Sequence, residues 1–418
     1  MQMIGQKTVK IDPSNPDTIP KFVDELPIPV VAKPKTFIRS KPYYEITMKE
    51  CQHRFHKLMP TTTVWGYDGL YPGPTIKVNQ NQIIYVKWKN QLPSKHLLPI
   101  DRTLHGSSGP PEVRTVTHLH GSNVAWESDG HPEAWFSRNF AQTGETFKRK
   151  IYQYTNRQKG ATLWYHDHAI GITRLNVYAG LAGLYIIRDA IEKKLKLPKN
   201  QYDIPLIIQD KSFRTDGSLF YPENTDPPAA VNPSVQPFFN GNTMVVNGKL
   251  WPRLKVEPRK YRFRILNASN TNAYTLRLGD GRSFYQIATD GGLLTKPVEL
   301  TTLPIEPAER SEIIVDFSKH KGKKLILQNT NDEGNMGLIM RFDVTLPLNQ
   351  KDTSEIPTNL LPDDQPLEEK AADKIRLLTL DAKQDEYDRP IMMLDNRMWH
   401  DPVTEKPVIG DTEVWEIY

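Results

Sequence analysis

One pattern recurs along the chain and limits what it can fold into. Gly73-Pro-Thr-Ile-Lys-Val78 leads through a polar corner to Ile84-Tyr-Val-Lys-Trp-Lys-Asn90. Asn247-Gly-Lys-Leu-Trp-Pro-Arg-Leu-Lys-Val256 leads through Glu257-Pro-Arg to Lys260-Tyr-Arg-Phe-Arg-Ile-Leu-Asn267. In both, a Gly/Pro turn feeds one short strand, then an alternating strand that ends in Asn. Alternation with a period of two predicts strands with one face inward. A later pair also matches: Gly144-Glu145-Thr-Phe with Gly160 and Leu163 corresponds to Ala308-Glu309-Arg with Gly322 and Leu325. Two successive domains of one β-type follow from this self-similarity. A third copy begins at Asn396-Arg-Met-Trp399-His-Asp-Pro402 and runs to Glu413-Val-Trp-Glu-Ile-Tyr418. The expected boundaries are 1–189 for the first domain with a Pro-rich N-terminal wrap, 190–350 for the second, 351–373 for an acidic linker, and 374–418 for the start of a third. Residues 374–418 by themselves are too few to close a sandwich and would carry open strand edges.

Composition agrees with an all-β chain. The 34 prolines outnumber the 24 glycines, and apolar runs are short, which favours strands and turns over long helices. The net charge of +5 comes from 54 bases against 49 acids, a mixed surface rather than a nucleic-acid stripe. No run approaches the ~20 apolar residues of a membrane span, and Met1 to Pro20 has no signal-peptide core. Synthesis in the cytoplasm is the expectation. A single cysteine, Cys51, rules out an intrachain disulfide and any site using two thiolates. Cys51 lies near His53 and His56, but the alternation of Tyr43 to Phe55 places it as a small packing residue.

The chemistry is concentrated in two short stretches. Arg114-Thr-Val-Thr-His118-Leu-His120-Gly and Leu163-Trp-Tyr-His166-Asp-His168 each place two imidazoles at i and i+2. On a strand such residues share a face, roughly 6.5–7 Å apart. Together they hold four of the eleven histidines, an arrangement that suits a metal shared between two strands, and imidazole suits copper, zinc, iron and nickel. In the second domain the positions aligned with Trp164 to His168 read Ile326-Leu-Gln328-Asn-Thr330, so packing does not require the histidines.

His118-Leu-His120-Gly and Trp164-Tyr-His166-Asp-His168 resemble the first and second copper motifs of the multicopper oxidases, within them the bacterial spore-coat laccase group. The likeness extends through Phe22-Val-Asp-Glu-Leu-Pro, Trp65-Gly-Tyr-Asp-Gly-Leu-Tyr-Pro-Gly-Pro, Thr173-Arg-Leu-Asn-Val-Tyr-Ala-Gly, Glu257-Pro-Arg-Lys-Tyr-Arg-Phe-Arg and Trp399-His-Asp-Pro-Val-Thr-Glu. The resemblance implies tandem cupredoxin-like Greek-key β-sandwiches, two complete and a third begun. It implies copper as cofactor, with His118 on the type 2 ion and His120, His166 and His168 on the type 3 pair. Asp129, in Glu127-Ser-Asp-Gly-His131, matches an acidic residue that the family places near dioxygen reduction. As an isolated motif it also fits an ordinary turn.

The departures from the family pattern are equally informative. A complete oxidase has a third-domain His-X-X-His-X-His and a His-Cys-His, and neither is in this sequence. Blue copper needs a Cys with two His, so the type 1 site and half of the trinuclear ligands are expected to be missing. The implied reaction is laccase-type: one-electron oxidation of phenols, aromatic amines or bilirubin, coupled to reduction of dioxygen to water. The alternative is a catalytically inactive copper-binding remnant or structural subunit of the spore coat, associating with other coat proteins or with a complementing C-terminal segment. A zinc hydrolase fits least, because no nucleophile or base set lies beside the histidines.

Overall fold

The computed structural model describes residues 11–361 and 367–418. It is built of strands, with two short α-helices, Thr173–Ala179 and Ala190–Lys194, among the described residues. The contacts divide the chain into two compact units. One runs through Tyr221 and resumes over Phe238–Leu361; the other joins Pro222–Pro237 to the C-terminal stretch that ends at Tyr418.

The larger unit holds two pairs of sheets. In the first pair, a five-stranded sheet is centred on Lys41–His53 and a four-stranded sheet contains Gly73–Asn79, Ala182–Arg188, Ala161–Asp167 and Thr117–His120 in that spatial order. In the second pair, an eight-stranded sheet runs through Asp203–Phe213, Lys260–Asn267 and Arg310–Asp316, facing a five-stranded sheet that includes Lys324–Asn329 and Leu338–Asp343. Inward residues such as Trp65, Trp88, Tyr165, Trp251 and Phe263 are fully buried, as period-two alternation requires of strands stacked face to face.

The sequence repeat has a direct structural counterpart. Tyr43–Met48 pairs in parallel with Tyr85–Asn90, and Asp203–Ile208 pairs in parallel with Arg262–Asn267. The two terminal asparagines do the same work. Asn90 Nδ2 donates to Thr115 Oγ1 and Phe136 O, and its Oδ1 accepts from the Leu92 N–H. Asn267 Nδ2 donates to Asn272 O and Ile305 O, and its Oδ1 accepts from the Ser269 N–H. A buried amide that satisfies the chain where it leaves the sheet explains why Asn recurs there.

The smaller unit repeats the parallel pairing a third time, Lys374–Leu378 with Glu413–Ile417, beside an antiparallel pair, Leu380–Gln384 with Pro390–Leu394. These are two-stranded sheets, and Ile375, Leu377, Met392, Trp415 and Ile417 are exposed on them. The two-stranded sheet leaves Met392 64% exposed, while its neighbour Met393 is buried.

Two connecting segments differ from expectation. The N-terminal wrap is not confined to the first sheet pair: Phe22 and Leu26 donate to the carbonyls of Trp251 and Arg253 before Ala32 reaches Thr75. Free main-chain groups on the edge strand Arg253–Lys255 capture it. The stretch expected as linker is docked over 351–361, where Asp352 pairs with Arg259 and Lys260, and Leu360 donates to Thr295 O. Residues 362–366 of that stretch lie outside the described residues.

Candidate metal centre

Thr117-His-Leu-His120 alternates, burying Thr117 and Leu119 and leaving His118 and His120 on the opposite face. It pairs antiparallel with Ala161–Asp167, with His118 opposite His166 and His120 opposite Trp164. Residues opposite one another across an antiparallel pair share a face. His168 follows the end of its strand, and its N–H donates to Val116 O at 2.8 Å, extending the pairing by one step.

The four imidazoles therefore converge. His118 lies with its ring centroid 5.6, 5.5 and 5.2 Å from those of His120, His166 and His168. His166 is 5.5 Å from both His120 and His168. One ring nitrogen from each of His118, His120 and His166 lies within 4.8 Å of the others. Trp164 stacks on His166 at 4.0 Å and is buried against Ala182, Leu184, Ile207 and Leu266, so the second sheet pair closes the back of the site.

Hydrogen bonds decide which nitrogens are free. His118 Nδ1 donates to Asp129 O at 2.6 Å, and His166 Nδ1 donates to Asp167 O at 2.7 Å, which leaves both Nε2 atoms with a lone pair. His120 Nδ1 lies 3.3 Å from His166 Nε2. His168 Nδ1 is buried with no hydrogen-bond partner. Burial, reinforced by Arg310, pushes His120 down to about 4. Burial and the neighbouring rings hold His166 well below its ordinary value, and burial lowers His168 as well. Neutral imidazoles facing one another, one of them with an orphaned buried nitrogen, form a donor set that a cation completes. This chemistry fits copper.

Asp129 ends the 3₁₀ turn Trp126–Ser128. Its carbonyl makes the tight contact to His118; its carboxylate stands at 3.4 Å from the same Nδ1 and is 39% exposed. His105 is exposed in its loop. Cys51 is half-buried opposite Val64, and burial raises its thiol. His53 Nε2 is engaged by Gly248 O at 2.6 Å and His56 Nε2 by Pro20 O at 3.0 Å, so neither ring turns to the thiol.

Sequence reading missed several residues that shape the site. Arg310 comes from the second sheet pair: its Nε donates to Thr162 O at 3.1 Å, and its Nη2 packs against Gly121. His96, Asn176 and the Asp167 side chain form a buried chain behind the histidines. Arg310 and His96 reach the motifs only through long-range contacts, and although Asp167 lies inside a motif and Asn176 nine residues after it, neither spacing nor periodicity encodes the bond between them.

Two family models, both described as multicopper oxidase, match residues 47–192 and 216–347. A laccase of Bacillus subtilis is 53% identical over 413 residues, covering 96% of this chain and 80% of that protein. This chain belongs to the multicopper oxidase family. Other members are similar at greater distance. A laccase of Haloferax volcanii is 39% identical, covering 99% of this chain and 74% of its own length. Among solved structures, a multi-copper oxidase from Pediococcus acidilactici superposes with a TM-score of 0.75 at 25% identity, over 95% of this chain and 75% of that one. McoA from Aquifex aeolicus gives 0.72 at 27% identity, over 94% and 81%. As a multicopper oxidase the protein is an oxidoreductase whose cofactor is copper and whose reaction joins a reducing substrate to dioxygen. Among the described residues no helix is long and apolar enough to cross a membrane.

Proposed function

We propose that His118, His120, His166 and His168 hold copper in a laccase-type dioxygen-reducing centre, His118 on the type 2 ion and the other three on the type 3 pair. The observation that carries this reading is the convergence of four imidazoles, three from two paired strands and His168 just beyond one of them, with the His118 Nε2 lone pair turned inward, His166 Nε2 facing His120 Nδ1, and an unpartnered nitrogen on His168. Bound copper supplies one-electron redox chemistry and dioxygen binding. The protein's own residues orient the rings and manage protons. In this reading the Asp129 carboxylate relays protons between solvent and the site, a role supported by its partial exposure and its 3.4 Å distance from His118 Nδ1. The reducing substrate is a small aromatic: a phenol, an aromatic amine or bilirubin.

The four histidines are half of a trinuclear ligand set. Cys51, with His53 and His56 turned elsewhere, does not make a blue copper site. Turnover in this reading needs the remaining ligands from a complementing C-terminal segment. The exposed apolar residues of the two-stranded sheets, Leu377, Trp415 and Ile417 among them, favour a second reading as well: a copper-binding structural subunit of the spore coat that associates through these strands. Copper titration followed by visible and electron paramagnetic resonance spectroscopy, with a phenolic dye assay, separates the readings. Copper uptake without an intense blue band is expected from this chain alone. A strong blue thiolate-to-copper band would overturn the assignment.

A further inference from the structure

The four imidazoles converge only if the two His-X-His segments keep a fixed offset. Strand pairing sets the register over Thr117–His120, but His168 lies beyond its strand, and Val116 precedes the other. At that end a carboxylate reinforces the single main-chain bond from the His168 N–H to Val116 O. Asp167 Oδ2 accepts from the Val116 N–H at 3.0 Å, and Oδ1 accepts from the Ala169 N–H at 3.0 Å. One fully buried side chain thus ties the residue two before His118 to the residue after His168.

The carboxylate is itself held. Asn176, fully buried on Thr173–Ala179, donates from Nδ2 to Asp167 Oδ1 at 2.7 Å and to Arg114 O at 3.0 Å. Its Oδ1 accepts from His96 Nε2 at 2.9 Å. Because the Asn176 Oδ1 can only accept, the His96 ring carries its proton on Nε2, and Nδ1 accepts from the Leu98 N–H at 2.9 Å. The His96 ring also packs against Trp65 at 4.4 Å. Every donor and acceptor of the Asn176 amide is used, so the amide has one orientation. An apolar residue would suit the interior of this helix better; the amide is there for its hydrogen bonds.

We infer that His96, Asn176 and Asp167 form a positioning chain that sets the spacing of the two histidine pairs for metal binding. The inference rests on the reading that those histidines bind copper. The three side chains bond to main chain and to one another, not to the four imidazoles, so they act through backbone placement. Partners of this kind, one step behind the ligands, typically change metal affinity by about 10–100-fold when removed.

The test titrates Cu(II) into the full chain, stripped of metal, against a competing chelator. It records the electron paramagnetic resonance spectrum of each loaded form and its melting temperature. Asn176→Leu is expected to weaken copper binding by about 10–100-fold and to shift the copper spectrum. His96→Gln keeps an N–H for Asn176 Oδ1 and is expected to stay close to the parent. Val315→Ala, a buried truncation in the second sheet pair, is expected to melt lower with unchanged affinity and spectrum. Parental affinity and spectrum in Asn176→Leu, while His118→Ala loses copper, would overturn the positioning role and leave the metal reading standing. Failure of the parent to bind, or parental binding by His118→Ala, would overturn the metal reading itself. Should Asn176→Leu not fold, His96→Phe interrogates the same chain, and parental affinity and spectrum there would overturn the inference.

Discussion

Nδ1 of His120 stands 3.3 Å from Nε2 of His166, a diagonal contact between strands whose register places His166 opposite His118. The contact makes these two rings parts of one donor set. His120→Ala and His166→Ala are each expected to weaken copper binding by about tenfold or more. The double variant should be much less than multiplicatively worse, because groups that share a partner are not additive. Copper affinity measured by chelator competition across the four proteins checks this. Fully additive losses would place the two imidazoles on independent sites.

Gly130 follows Asp129 with φ +83°, and an added Cβ would lie 2.2 Å from Thr117 O and 2.6 Å from His118 Cα. Those neighbours are backbone of the metal-site strand and have no room to yield. Gly130→Ala is expected to cost at least about 2 kcal/mol from the left-handed backbone and the clash together. It should also displace His118 and lower copper affinity. Denaturant unfolding and copper titration measure the two effects. A variant as stable as the parent would show that the turn relaxes freely.

Arg264 uses all five of its N–H groups, on Asp203, Thr162, Glu312 and Glu192, and is fully buried. Through Thr162 it anchors the second sheet pair to the strand of His166. Replacing it by Met leaves buried carboxylates short of a partner and is expected to cost about 3–5 kcal/mol. Unfolding in denaturant reads this directly.

The same network carries a pH signature. Burial alone would raise the Asp203 and Glu192 carboxyls, but the guanidiniums of Arg262 and Arg264 outweigh it and hold both below their ordinary values. Their folded pKa values being lower than the unfolded ones, the unfolded chain takes up protons first. Stability from the network is therefore complete above about pH 4–5 and falls as pH drops below that range. Arg264→Met should flatten the acid limb of the stability profile, and an unchanged limb would exclude the network as its source.

Lys211 gives a slope of the same sign at higher pH. Its side chain is buried, with Nζ 3.9 Å above the Tyr178 ring. Burial, only partly offset by Asp210, lowers its pKa to about 7. The unfolded lysine stays protonated to about 10.4, so the unfolded state binds more protons across the interval between them, and stability rises with pH there. Lys211→Met should remove that rise. Melting temperatures between pH 7 and 10 decide the matter.

The legible parts of this protein were local. The repeat ending in Asn90 and Asn267 marked strands that pair in parallel with the same geometry, because a buried amide is needed wherever such a strand leaves its sheet. The His-X-His spacing was legible because strand side chains alternate. Met392 is exposed because its strand lies in a two-stranded sheet, which no local pattern encodes. The N-terminal wrap was assigned to one domain, whereas an edge strand far along the chain captures Phe22 and Leu26.

Sequence alone determined that the chain is β-built and repeated, that two strands each carry a pair of histidines on one face, and that one cysteine is all it has. Those properties follow from periodicity and residue chemistry over a few positions. Tertiary structure decided that the two strands are neighbours in register, which nitrogen of each ring is free, and that His96, Asn176 and Arg310 stand behind them. The pairing of the two strands and the approach of His96 and Arg310 depend on hydrogen bonds between residues from about 50 to about 150 positions apart, and such pairings are fixed by how the sheets pack, not by the residues adjoining each histidine.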